Sequence, residues 1–259
     1  MNSVTHDNTQ AVAPGSIVSI FGSQLAASAA TADTVPLSMS IAGVSVTFNG
    51  YPAAIRLVSP TLISVQVPWE TLGTDPATGA PLTSGTASVV VTQNGATSNT
   101  NTVAVNQFSP GIYAIDNLAS SNLALAMNSD GSLVQAVGVV PGLTSHPAQP
   151  GDTLMLLATG LGPVDQPIVD GANSADMVRN ALTQPQVMIA GVGATVLSAT
   201  LSPNFVGVYQ VQLTVPDGVG TSDMTPVQLQ IADLSSPVTT TISVATPMPP
   251  PPPPMAAPR

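Results

Sequence analysis

The chain has 259 residues, of which 44% are hydrophobic and only 6% charged, against about 25% charged in an average domain. Three arginines and no lysine stand against twelve aspartates and one glutamate, for a net charge of −10. That balance excludes a nucleic-acid or anionic membrane surface, because phosphate binding needs clustered cations. No apolar run approaches the roughly 18 residues that span a bilayer, and without cysteine the chain has no disulfide framework.

Residues 1–13 have neither a basic stretch nor an apolar one, so they do not read as a signal peptide and are expected to form a tail. From residue 14 the pattern has a two-residue period. "SIVSIFG" (16–22), "VSVTFNG" (44–50), "LISVQVP" (62–68), "ASVVVTQNG" (87–95) and "NTVAV" (101–105) are short, β-branched and closed by turn residues. Asn49-Gly50 and Asn94-Gly95 predict tight hairpins, since both central residues of a type I′ turn need positive φ. Segment 108–149 carries strands of its own, with a hairpin turning at Asp130-Gly131, and is expected to pack as a connector at the junction of two domains. No amphipathic stretch is long enough for a confident helix; "TADTVPLSM" and "GANSADMVRNAL" could hold a turn or two. Residues 246–259, "TPMPPPPPPMAAPR", form a polyproline tail that cannot join a sheet ladder.

The chain also repeats itself. "VSPTLISVQVPWE" (58–70) is answered by "LSPNFVGVYQVQLTVPD" (201–217). Pro14-Gly15-Ser16 is answered by Pro150-Gly151-Asp152, "FNGYPAAIRLVSP" (48–60) by "IAGVGATVLSATLSP" (189–203), and "VVVTQNGATSN" (89–99) by "VQLQIADLSSP" (227–237). The order is kept while the offset drifts with loop length. A period near 140 residues is too long for a solenoid and fits two tandem domains, here 14–107 and 150–245. The expected fold is therefore all-β, two sandwiches joined by a β-hairpin connector.

Those same segments, with "APGSIVSIFGSQLA", "FSPGIYA" and "GDTLMLLATGLGPV", resemble the paired Ig-like module at the C-termini of large secreted proteins of soil acidobacteria. Each half is similar to early-set TIG/IPT domains, and the likeness covers residues 11 to 245. The resemblance implies an extracellular or cell-surface pair of sandwiches and specifies no chemistry.

The residues themselves offer little for catalysis. Histidine occurs only at His6 and His146. A Ser145, His146 and Asp152 arrangement would need neighbours in one loop to converge, and no G-x-S-x-G elbow exists. "AGVGA" (190–194) lacks the third glycine of a dinucleotide fingerprint and reads as a hairpin turn. The acid-rich loop 164–176 offers Asp165, Asp170, Asn173 and Asp176 as a weak calcium site, set against a solvated loop with Asx turns. No other cofactor is expected. Trp69 follows Val-Pro at a strand end, where it either seals a core edge or meets a ligand. The expected function is that of a non-catalytic structural or adhesive protein of the cell surface. It would associate with itself through strand edges, which lack protective lysines, and through its tails. Trp69, Tyr209, Pro249, Pro250, Pro251 and Pro252 are the candidate partner-binding residues. The alternative is a module that binds glycan or another surface protein.

Overall fold

The computed structural model describes residues 10–115, 122–237 and 240–245. These are all β, with no helix among them; the two stretches that could have held a helical turn form loops and bends. No described helix is therefore long and apolar enough to cross a membrane, a statement that leaves β-barrels aside.

Strands of four residues or more occur in two sets. The first set is β1 (Ile17–Phe21), β2 (Val44–Phe48), β3 (Ile55–Val58), β4 (Leu62–Gln66), β5 (Ser84–Gln93) and β6 (Asn101–Asn106). The second is β7 (Thr153–Thr159), β8 (Gln186–Ile189), β9 (Val192–Leu201), β10 (Tyr209–Thr214), β11 (Ser222–Ile231) and β12 (Thr240–Val244). In the first half β1, β4 and β3 make one sheet, while β2, β5 and β6 make a second. The second half repeats every one of these antiparallel pairings: β7 with β10, β9 with β10, β8 with β11, and β11 with β12. The repeated phrase is thus β4 and β10, the central strand of a three-strand set in each half.

The halves differ where the chain passes from one sheet to the other. In the first, Ala53 and Ala54 interrupt the strand, and Tyr51–Pro52 stays with β2 while β3 joins β4. In the second, β9 runs unbroken, pairing with β8 over 192–194 and with β10 from Thr195 onward, past an irregularity between Val196 and Ser198. That continuity merges the second half's strands into one eleven-stranded sheet. The turns follow the local chemistry: Asn49-Gly50 and Asn94-Gly95 have positive φ at both positions, and Ala190-Gly191 turns the same way between β8 and β9.

Alternation places the apolar residues of each half inward. One buried cluster runs from Val12 to Val105 around Phe48, Ile55 and Ile63; a second runs from Ile112 to Val244 around Leu156, Tyr209 and Leu229. The connector packs largely into the second half and also meets the first, where Tyr113 lies on one groove wall with Arg56. Ile112, Ala124, Ala126, Val134 and Ala148 belong to the second cluster. Strand Gly111–Ile112 and strand Ala126–Asn128 both pair with β7, and Leu123 pairs in parallel with Thr241 of β12. These apolar side chains are small or β-branched and join the second core, while Leu123, Leu133 and Val140 form a small cluster of their own.

Candidate functional site at the junction of the halves

Burial along β4 shows where the halves meet. Simple alternation would leave Ser64 and Gln66 facing water, yet every residue from Ile63 to Val67 is buried. The second half covers that outer face. Gln66 is 1% exposed, and both ends of its amide are engaged: Nε2 donates to the Gly15 carbonyl at 3.1 Å and Oε1 accepts from the Gly171 N–H at 2.6 Å. Gly171 continues the seam, its carbonyl accepting from the Leu37 N–H at 2.8 Å. An amide is suited to such a place, since one group both donates and accepts.

Trp69 lies just beyond β4 and packs against the core of the second half, although its own strand belongs to the first. Gly15 lies flat against the indole; a Cβ there would fall inside the ring, and its φ of +76° is one that side chains rarely adopt. The Trp69 backbone N–H donates to Asp170 Oδ1 at 3.0 Å, another bond across the seam. Beside these groups opens a cleft of about 670 Å³, with Tyr51, Trp69, Glu70, Thr74, Gln107 and Pro163 on its walls.

Asp170 is the one strongly perturbed carboxyl of this seam. Burial, against the pull of the Trp69 N–H and with help from the adjacent Glu70 carboxylate, pushes its pKa from 3.8 up to about 6. The folded state therefore holds a proton that the unfolded chain has already lost between those values. Stability contributed by this group is present at low pH and falls as pH rises through about 6. Asp170→Asn should then raise the melting temperature at pH 7 and leave it nearly unchanged at pH 3.5. The gain is about 1 kcal/mol once solvent screening of a half-exposed group is allowed for. Equal shifts at both pH values in a calorimetric scan would refute it.

The calcium candidates do not converge. Asp165 accepts from Asn180 through both oxygens, at 2.9 and 2.7 Å, and those bonds lower its pKa. Asp176 is held by Arg179 in a bidentate pair at 2.6 and 2.9 Å, which pulls its pKa to about 2. Asn173 caps its own turn at the Ala175 N–H, 3.3 Å away, and Asp170 turns to Trp69. No group of three or more His, Asp or Glu stands within ligating reach of one point among the described residues. The acid-rich loop closes on protein partners.

Tyr209 corrects the expectation that it serves a partner. It is 2% exposed, lies in the second core and donates its hydroxyl to the Gly162 carbonyl. Its strand is central, so alternation turns the ring inward. Trp69 meets the other half of its own chain. Pro249, Pro250, Pro251 and Pro252, like His6, lie outside the described residues. Ser145, His146 and Asp152 also part company: Ser145 Oγ donates to the Ala136 carbonyl, Asp152 accepts from the Gln149 N–H, and the His146 ring bonds Asp130 at 3.2 Å. Gln66, Glu70 and Gly171 escape sequence reasoning. One signal for them exists within the repeat itself. Where the first half reads Gln66-Val-Pro-Trp69, the second reads Thr214-Val-Pro-Asp217, so the half that must meet a downstream neighbour carries the larger, amphipathic residues.

No protein-family model matches the chain, and no curated protein does. Among solved structures, it is similar to an endo-fucoidan hydrolase of glycoside hydrolase family 107, with 10% identity and a TM-score of 0.16. The alignment takes in 92% of this chain and 43% of that structure's length. A likeness at that score carries no argument about fold or activity.

Proposed function

We propose that this chain is a non-catalytic extracellular protein, structural or adhesive, made of two tandem early-set Ig-like sandwiches that associate with further copies. The observation that supports this reading best is the seam. Trp69 is inserted against the other half's core, and Gln66, Leu37 and Asp170 close hydrogen bonds across it. A stiff pair of sandwiches transmits force and fixes spacing, which a flexible linker would not do. The resemblance to paired modules of secreted acidobacterial proteins points the same way. Association is supported by apolar residues left on the surface: Val169, Val178 and Leu182 are 66%, 68% and 62% exposed.

A second reading, binding of glycan or a surface protein, has one observation in its favour. Tyr51 is 44% exposed on the wall of the junction cleft, next to Trp69 and Glu70. Light scattering during size-exclusion chromatography decides between the two. The full chain should run larger than a monomer, and removal of 1–12 or of 246–259 should shrink the particle. A full chain that stays monomeric at every concentration ends the self-association reading and leaves the cleft.

A further inference from the structure

We propose that a second groove at the junction binds an amphiphilic carboxylate, an anionic head on a short hydrocarbon chain. This groove encloses about 420 Å³ and takes its walls from both halves: Val35, Leu37 and Arg56 from the first, Tyr113, Asn204 and Phe205 from the second. That volume is within the range of about 300–1,000 Å³ typical of small-molecule sites, which are mostly apolar with a few placed polar groups.

The polar groups here are uncommitted. Arg56 stands exposed on β3 and makes no ion pair or side-chain hydrogen bond among the described residues. The other described arginine, Arg179, is tied to Asp176, and lysine is absent. In a chain of net charge −10, a guanidinium without an acid is a local charge with no internal use. A guanidinium is also the side chain best matched to a planar carboxylate, which it grips through two parallel N–H donors. The Asn204 side-chain amide makes no hydrogen bond within the described residues, though its backbone N–H is bonded to Ser202 at 3.2 Å. The Tyr113 hydroxyl lies behind the groove wall, sealed from solvent, with Thr159 as its polar neighbour. Its neighbour Thr159 Oγ1 gives its own proton to the Gly207 carbonyl at 3.1 Å. Burial raises the Tyr113 pKa to about 12, while Thr159 and the Arg56 charge pull against that rise, so phenol and guanidinium share one neighbourhood.

The rest of the groove suits a hydrocarbon chain. Val35 and Phe205 are 52% and 55% exposed at its lips, and Leu37 and Leu157 lie deeper. Each methylene buried against such walls tightens binding by about fourfold at most in transfer terms, so a chain of several carbons adds materially to the head-group interaction.

Octanoate, octanol and octylammonium are suitable probes, titrated into the full-length protein by calorimetry or followed by amide chemical shifts. Octanoate should bind more tightly than octanol, and octylammonium should not bind. Arg56→Gln should weaken octanoate about tenfold, the usual loss for a charge-assisted hydrogen bond, and leave octanol unchanged. Phe205→Ser should weaken both octanoate and octanol. Both positions are exposed, so melting temperatures should match that of the parent and separate a lost site from a lost fold. Octanol binding as tightly as octanoate, or octanoate binding that survives Arg56→Gln undiminished, would overturn the assignment.

Discussion

Trp69→Ala is expected to uncouple the two halves. The parent should melt in one cooperative transition in differential scanning calorimetry, because neither half can lose its packing without exposing the indole and the seam it fills. In the variant the first half should melt earlier, as a separate event. The cost is set by the apolar packing around the indole and the cavity its removal leaves, about 3 kcal/mol for a partly buried tryptophan at the lower end of the Trp→Ala range. The variant also loosens Gly15, whose backbone rests on the ring, while the Asp170 bond survives because it engages the backbone N–H of residue 69. A single transition shifted by less than about a degree, far below what such a cost predicts, would mean that the seam is held by its hydrogen bonds alone.

Gly171→Ala should be nearly as damaging, for a different reason. The residue sits at φ +80°, and a Cβ would come to 2.8 Å from the Leu37 nitrogen and 2.7 Å from its oxygen. Those are backbone atoms on the opposite half and cannot swing aside. Either the seam opens, losing the Gln66 and Leu37 bonds to Gly171, or the new residue is held in strain. Left-handed backbone and overpacking each cost about 1–3 kcal/mol, so a loss of about 3 kcal/mol is expected in chemical denaturation. Gly50→Ala is a suitable control, since it has a similar φ of +86° and open space around it, so it reports backbone strain without the clash. Equal losses for the two variants would show that Gly171 matters only for its dihedral angles.

Much of the fold is legible in local chemistry. Asn49-Gly50 and Asn94-Gly95 mark tight turns, and alternation in 44–48 and 63–66 marks strands with an apolar face inward. The repeat establishes which strands correspond, and the recurring pairings follow its order. Two features resist. The connector contributes its small apolar residues to the second core, a matter of tertiary packing that no local period encodes. The seam resists as well: Gln66 and Ser64 occupy positions that alternation assigns to water, and only the presence of a second half buries them. At Asp170 the sequence points to the wrong partner, because acid spacing in a loop suggests a cation while its actual neighbours, the Trp69 N–H and Glu70, come from a hundred residues away. Arg56 carries no signal of its own, since a lone charge on a strand normally means a solvated face.

The chain contains a single tryptophan, and that residue lies at the seam. Its indole nitrogen is shielded from water and unbonded. Emission excited in the indole band therefore originates from one plane of the molecule. An unlabelled sample carries its own optical gauge of whether the halves are seated: a blue-shifted spectrum while they are together, and a shift to the red, with easier quenching by a solute, as soon as they part. Stretching, crowding or assembly could be followed at that plane without attaching a dye.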